Sequence, residues 1–218
     1  SMAIVNNSIY RQLSNKLNLD VIISPKTITI SAILQYVRRG KVKEISELFS
    51  PYDIIPVSAK SLDLLEPEED GTSFSENALI KARSASKLSG IVSISDDSGL
   101  CVRALNDEPG IFSARWAGPK KDFRKAIKKI EKKIKGKNDL RAYFVCGLGL
   151  VWPDGYEEYY EGTIQGTLKF PPTGNNGFGY DPIFCPIGYN VTFGQLPNDQ
   201  KEKISHRSIA FKKLQSVH

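Results

Sequence analysis

Cysteine, histidine and methionine are scarce, with three, two and one among 218 residues. Cys101, Cys146 and Cys185 are odd in number and widely scattered. They fit neither a zinc pattern nor a disulfide framework, and point to a reducing, cytoplasmic setting. No apolar run approaches the roughly 20 residues that a membrane helix needs. No basic stretch followed by an apolar core opens the chain, so no secretory signal is read there, and Ser1 before Met2 reads as a remnant of tag removal. Internal repeats and low-complexity linkers are absent too.

What is present is ordinary for a globular chain: 40% hydrophobic and 25% charged residues, a length that suits one domain or a domain with a lobe. The net charge of +6 is not spread evenly. Between Pro119 and Arg141 stand eleven Lys or Arg against three Asp or Glu, a local balance of +8, while the rest of the chain has 19 against 21. Within that segment Phe123, Ile127, Ile130 and Ile134 recur at helical spacing with lysines between them. This predicts a surface helix with one apolar face and a solvated lysine face. Nucleic-acid binding is the lesser reading, because no aromatic interleaving or binding motif accompanies the charge.

Patterning predicts the following order. A helix spans 8–17, a buried strand 20–24, one or two helices 27–48, and a strand 52–57. An acidic loop over 62–72 contains Glu66, Glu68, Glu69 and Asp70. A helix over 75–88, capped by Ser73 or Ser75, leads to a strand over 91–94. A short extended piece over 100–105 and a loop over 107–118 precede the lysine-rich helix. Two long strands, 141–152 and 156–168, form a hairpin through Pro153-Asp154-Gly155. A loop rich in Pro, Gly and Asn, a short strand from Ile183 and a final helix over 198–217 complete the chain. The predicted class is α/β, a mixed central sheet flanked by helices with an extended β-hairpin lobe.

Asp96-Asp97-Ser98-Gly99 follows an apolar strand, and open α/β sheets place chemistry just beyond the C-terminal ends of strands. Two carboxylates there ionise together cheaply only with a cation between them, and a hard ion such as Mg²⁺ would keep phosphate and water oxygens as further ligands. The plainer alternative is a capped turn with a solvated acid. Glu68 or Glu69 could complete a metal site with Asp97, or be solvated loop acids. In the loop 174–182, Gly177 and Gly179 permit close backbone approach, Phe178 or Tyr180 offers an aromatic face, and Asp181 an acceptor for a base edge. Lys201 and Arg207 suit phosphate or carbonyl oxygens, with His206 beside them. Together these groups describe a nucleotide site.

From Gly40 to Leu214 the chain resembles the inosine triphosphate pyrophosphatase family, which acts on ITP, dITP and XTP. The likeness rests on Gly40-Lys41-Val42-Lys43-Glu44-Ile45, on Ser73-Phe74-Ser75-Glu76-Asn77-Ala78-Leu79-Ile80-Lys81-Ala82, and on Asp96-Asp97-Ser98-Gly99-Leu100. It continues through Pro109-Gly110-Ile111-Phe112-Ser113-Ala114-Arg115 and Gly177-Phe178-Gly179-Tyr180-Asp181-Pro182-Ile183-Phe184, and ends on Lys201 with Ser205-His206-Arg207. The resemblance implies a pyrophosphatase domain over 41–218 that works as a homodimer with Mg²⁺. It implies Asp97 as catalytic acid/base and metal ligand, with Glu69 and Asp96 beside the metal. Ser98 and Lys41 would contact substrate. Phe178, Gly179, Tyr180 and Asp181 would form the base pocket, with Lys201, His206 and Arg207 reading the purine edge or the phosphates. A metal-bound water would attack the α-phosphorus, releasing monophosphate and pyrophosphate.

Residues 1–40 depart from that pattern. Where the family has Thr and Asn in a phosphate-binding loop, this chain has Tyr36 and Arg38. Residues 7–39 instead resemble the end of the nucleotide-binding domain of Trk-type potassium-uptake regulators, with the predicted strand 20–24 standing in for the family's first strand. Two readings follow. One is an active pyrophosphatase for non-standard purine nucleotides. The other is a nucleotide-binding protein impaired in catalysis, because two lost phosphate contacts at roughly 0.5–1.5 kcal/mol each would lower affinity about tenfold or more.

Overall fold

The computed structural model describes residues 55–217 and, before them, the short strands 3–4, 22–23 and 27–30. The elements are strands β1 (Ala3–Ile4), β2 (Ile22–Ile23), β3 (Thr27–Ile30) and β4 (Ile55–Ser58), helix α1 (Phe74–Ser89), strand β5 (Val92–Val102) and helices α2 (Ser113–Trp116) and α3 (Phe123–Ile134). Then come β6 (Arg141–Val151), β7 (Glu157–Leu168), β8 (Phe184–Pro186), α4 (Asn198–Ile204) and α5 (His206–Val217). A six-stranded sheet runs in the order β4-β3-β5-β6-β7-β8, while β1 and β2 form a separate parallel pair. The sheet is mixed, as the α/β pattern predicts: β3 is parallel to β4 and β5, and β7 is antiparallel to β8.

The chain divides into two units. The first holds 1–68, 79–95 and 150–158. In it β3 lies between β4 and the start of β5, with Ile28 opposite both Pro56 and Val92. Val92, Ile94, Ala82 and Ala85 are buried there, as the β-type run 91–94 and the small residues of α1 require. The turn 153–155 caps the hairpin tip, where Trp152 and Tyr156 rings pack 5.2 Å apart. The second unit holds 69–78, 96–149 and 159–218. Its core gathers Leu100, Ile130, Phe144, Ile183, Phe184 and Phe193.

Helix α3 is built as its spacing demands. Asp122 caps it by accepting from the Arg124 N–H at 3.1 Å, which satisfies one of the orphan donors of the first turn. Ala126, Ile127, Ile130 and Ile134 are buried, and the lysines between them are exposed. The apolar stripe is thus consumed by the core and the charged face is left to water. Helix α1 opens on a reciprocal cap. Ser73 Oγ accepts from the Glu76 N–H at 3.1 Å, and the Glu76 carboxylate accepts from the Thr72 N–H at 2.6 Å. The Thr72 hydroxyl, which donates to the same carboxylate at 2.7 Å, and after it the Thr72 N–H hold the Glu76 carboxyl below its usual range.

Four expectations are corrected. Residues 27–30 are strand, not helix. It is this β-branched Thr-Ile-Thr-Ile run that enters the six-stranded sheet, whereas among the described residues Ile22–Ile23 pairs with β1. The strand predicted at 91–94 continues through Gly99 to Val102. The aspartate pair therefore lies inside a strand and not beyond its end. The loop 107–118 contains a helical turn, Gly110–Phe112, and α2. The single final helix is two, because Ser205 takes an extended conformation (φ −66°, ψ 156°) and its Oγ accepts from the Ser208 N–H at 3.1 Å to cap α5. The predicted helix 8–17, the rest of 20–24 and 31–48, and Lys41, fall outside the described residues.

Candidate functional site

Strand alternation separates the two aspartates. Successive side chains in a strand point to opposite faces, so Asp96 and Asp97 do not converge on one cation. Asp96 shares its face with Ser98, whose hydroxyl donates to Asp96 Oδ2 at 2.8 Å. The same oxygen accepts from the Arg207 guanidinium at 3.2 Å. Asp96 is buried and Arg207 is a quarter exposed or less, at 4% and 23%, so this is a shielded ion pair. Burial acts to lower the Arg207 guanidinium, but the charge and hydrogen bond of Asp96, joined by Cys146 and Asp181, raise it overall. Asp97 turns the other way, and its Oδ2 accepts from the Asn77 side-chain amide at 3.2 Å.

Asn77 is the residue that sequence patterning left without a role. It is fully buried, and its Oδ1 has no hydrogen-bond partner among the described residues. A buried amide oxygen without a donor is costly and calls for a ligand or water. Together with the Asp97 carboxylate it supplies hard oxygen donors, the type that Mg²⁺ takes. Gly71 approaches Asn77 so closely that a side chain there would sit 2.6 Å from Asn77 Oδ1. That brings the acidic loop next to Asn77. Glu69, partly buried in this loop, is fixed through its backbone carbonyl, which accepts from Arg115. Among the described residues no three His, Cys, Asp or Glu side chains stand close enough to hold a metal by themselves.

The glycine-rich loop is folded over one carboxylate. Asp181, 2% exposed, accepts at Oδ2 from the Phe178 N–H at 2.6 Å and from Lys201 Nζ at 2.5 Å. A side chain on Gly177, which has φ +72°, would strike that same carboxylate oxygen. Gly179 likewise has φ +68°. Asp181 Oδ2 is therefore occupied in holding the loop. Phe178 is exposed, with Lys201 Nζ 5.0 Å and the Arg207 guanidinium 5.2 Å from its ring centre. Tyr180 does not offer the aromatic face that its position suggested. It is buried in the core, edge-on to Phe123 at 5.3 Å, and its hydroxyl donates to the Ser113 carbonyl at 2.9 Å.

His206 is buried against the Phe144 ring, 4.8 Å between centres. Burial holds it neutral, well below the usual histidine range, and the Arg207 and Lys201 charges push the same way. A histidine depressed in the folded state binds fewer protons there than when unfolded, so stability falls as pH drops through the unfolded value of about 6.5. The only other histidine is the terminal His218. A thermal-melt series from pH 8 to pH 5 should therefore show a decline below about pH 6.5, and His206→Phe should flatten it.

The structure thus brings Asp96, Asp97, Ser98, Glu69, Phe178, Gly179, Asp181, Lys201, His206 and Arg207 into one unit. Tyr180 lies in that unit as core, and Lys41 lies outside the described residues.

A family model described as the Ham1 family matches residues 38–217. A dITP/XTP pyrophosphatase of Zymomonas mobilis is 50% identical over 179 residues, covering 81% of this chain and 86% of its own length. The protein of the same name from Rhodospirillum centenum is also 50% identical, over 81% and 88%. The Ham1 protein of Staphylococcus aureus superposes with a TM-score of 0.80 at 38% identity, over 88% of this chain and 97% of its own. The family match begins at residue 38, and the likeness of residues 7–39 to potassium-uptake regulators finds no support in it. The chain belongs to the Ham1 family.

Proposed function

We propose that the chain is a nucleoside triphosphate pyrophosphatase. It hydrolyses non-standard purine nucleotides (ITP, dITP and XTP) to the monophosphate and pyrophosphate. Relatives at 50% identity bear the name of that activity. The observation that carries it is the buried Asp97 carboxylate beside the Asn77 oxygen, which has no hydrogen-bond partner among the described residues, in one unit with the cations Lys201 and Arg207.

Asp97, with Glu69 from the acidic loop, would hold the metal, and Asp97 would take the proton of the attacking water. Mg²⁺, when bound, acidifies that water and offsets the charge of the triphosphate. Asp96 is spent on Arg207 and Ser98, and so sets the direction from which Arg207 meets substrate oxygens. Lys201 and Arg207 stabilise charge on phosphate or on a purine carbonyl, and Ser98 adds a hydroxyl contact. Phe178 offers its ring to the base, while Gly179 and the Asp181-anchored backbone frame the pocket. Tyr180 supports that loop from below. His206, held neutral, can give or accept one hydrogen bond at a purine edge without adding charge. Donors aimed at a 6-keto oxygen would be left unpaired by adenine, which rejects ATP. In this reading residues 41–218 form the catalytic domain, Lys41 reaches phosphate, and the protein works in the cytoplasm as a homodimer. The alternative, binding without turnover, is not favoured, because the named relatives match over four fifths of this chain.

Phosphorus-31 spectra of ITP hydrolysis with Mg²⁺ test the bond that is cut. IMP and pyrophosphate are expected. IDP and phosphate would overturn the reading.

A further inference from the structure

Patterning predicts a solvated lysine face on α3, yet the fold sets that face apart. All eleven Lys and Arg between Pro119 and Arg141 are exposed. Acids answer few of them. Asp139 pairs with Arg141 at 2.8 Å, and Glu108 with Lys133 at 2.9 Å. Among the described residues Arg124, Lys125, Lys128 and Lys132 have no ion pair. Within the helix, Arg124 and Lys128, Lys125 and Lys129, Lys128 and Lys132, and Lys129 and Lys133 are like charges four residues apart, an arrangement that destabilises a helix. Arg124 and Lys125 also stand in a first turn that has no acid, where the helix dipole disfavours cations. Charge that costs the helix stability is explained by an anionic partner.

We infer that this ridge docks the phosphate backbone of a nucleic-acid duplex. Lys125, Lys128, Lys129 and Lys132 follow i, i+3, i+4, i+7 spacing, so they line one face over about 10 Å of helix. Duplex DNA carries one charge for each ~1.7 Å of its axis, so a row of that length meets several phosphates at once. A lipid surface is the poorer match. The apolar stripe Ala126, Ile127, Ile130 and Ile134 is buried in the core, and a helix lying in a membrane interface needs such a stripe for the lipid. Trp116 packs against the core with Lys129 Nζ over its ring, 3.9 Å from the centre, so no base stacks there. Contact is thus with phosphates and carries no sequence preference. The inference goes beyond the proposed hydrolysis and does not rest on it.

The test uses the full chain and a fluorescent DNA duplex of about 20 base pairs, followed by anisotropy from about 50 to 200 mM salt. Four phosphate contacts predict a slope of log K against log salt of about −3.6. Lys128→Gln/Lys132→Gln should weaken binding at least tenfold at the low-salt end and reduce the slope by about 2. Lys60→Gln/Lys87→Gln removes the same net charge from exposed lysines elsewhere and should bind within twofold of wild type. Because like-charge neighbours are removed, Lys128→Gln/Lys132→Gln should melt no lower than wild type. No binding by wild type, or equal losses in the two double variants, overturns the inference. A lower melt of Lys128→Gln/Lys132→Gln would mean that these lysines serve the fold, and overturns it too. So does displacement of the duplex by equimolar ITP, which would put the anion in the nucleotide site. Vesicles of phosphatidylserine and phosphatidylcholine form the last arm. Binding to them in place of the duplex would assign the ridge to a membrane surface and overturn the inference.

Discussion

Asp97→Asn is expected to abolish pyrophosphate release, by ~10³-fold or more, in a protein that still folds. Losing a general base costs ~10²–10⁴, and a metal-ligating charge lost at the same time adds to that. The barrier rises by about 4 kcal/mol or more at ~10³-fold. Folding survives because asparagine has the same shape, its oxygen can still accept from Asn77 at the present 3.2 Å, and one buried charge is gone. Asp96→Asn is expected to behave in the opposite manner. Its oxygen holds both Ser98 and Arg207. Removing its charge strands a shielded guanidinium, which costs about 3 kcal/mol, and activity falls through misplaced Arg207 by less than in Asp97→Asn. The contrast follows from strand alternation: one aspartate faces Asn77, its neighbour faces Arg207. Paired melts and activity assays check it. Equal activity losses in the two variants would contradict that division of labour.

The second large effect is on stability. Gly162 lies in β7 where the first turn of α5 crosses it. A side chain there would collide with the His206 carbonyl and the Ala210 N–H, and would stand 3.1 Å from Ala210 Cα. These are backbone atoms, so no rotamer can relieve the contact. Gly162→Ala is expected to destabilise by about 2–3 kcal/mol, a fall in melting temperature of about 5–10 °C for a chain of this size. Activity should fall too, because α5 begins with His206 and Arg207 and must move away from the sheet. Gly155→Ala is the control. Its φ of +89° is strained for alanine, but nothing lies within 4 Å, so only about 1 kcal/mol is expected. A Gly162→Ala melt as mild as that of Gly155→Ala would mean that the α5 contact is looser than described.

Local patterning told most of the elements. The 3.6 period of Phe123 to Ile134, the Pro153-Asp154-Gly155 turn and the Ser73–Glu76 cap each work through neighbours a few residues apart, so the sequence displays them. The misreadings share a different cause. Asp96 and Asp97 looked like a loop-borne pair because carboxylates and glycine disfavour strands. The sheet nonetheless carries β5 through them, with Arg207 a partner 111 residues away. Thr27–Ile30 carries a strand composition that a longer helical reading absorbed, and its pairing with β4 and β5 is non-local. Tyr180 sits in a polar loop, yet its ring lies in the core because Phe123 and Ser113 are brought beneath it. Asn77 and Arg115 were visible as letters within motifs. Their tasks depend on Asp97 and on the Glu69 carbonyl, 20 and 46 residues distant, which no local pattern reveals.

Metal-dependent selection of a 6-keto purine triphosphate is the central property of the proposed enzyme. Pyrophosphate release from ITP, XTP and ATP, each with Mg²⁺ and with the metal chelated, tests that most directly. Turnover of ITP and XTP at least tenfold above ATP in kcat/KM, lost on chelation, is expected. Equal use of ATP, turnover that survives chelation, or no turnover by the folded protein would contradict it.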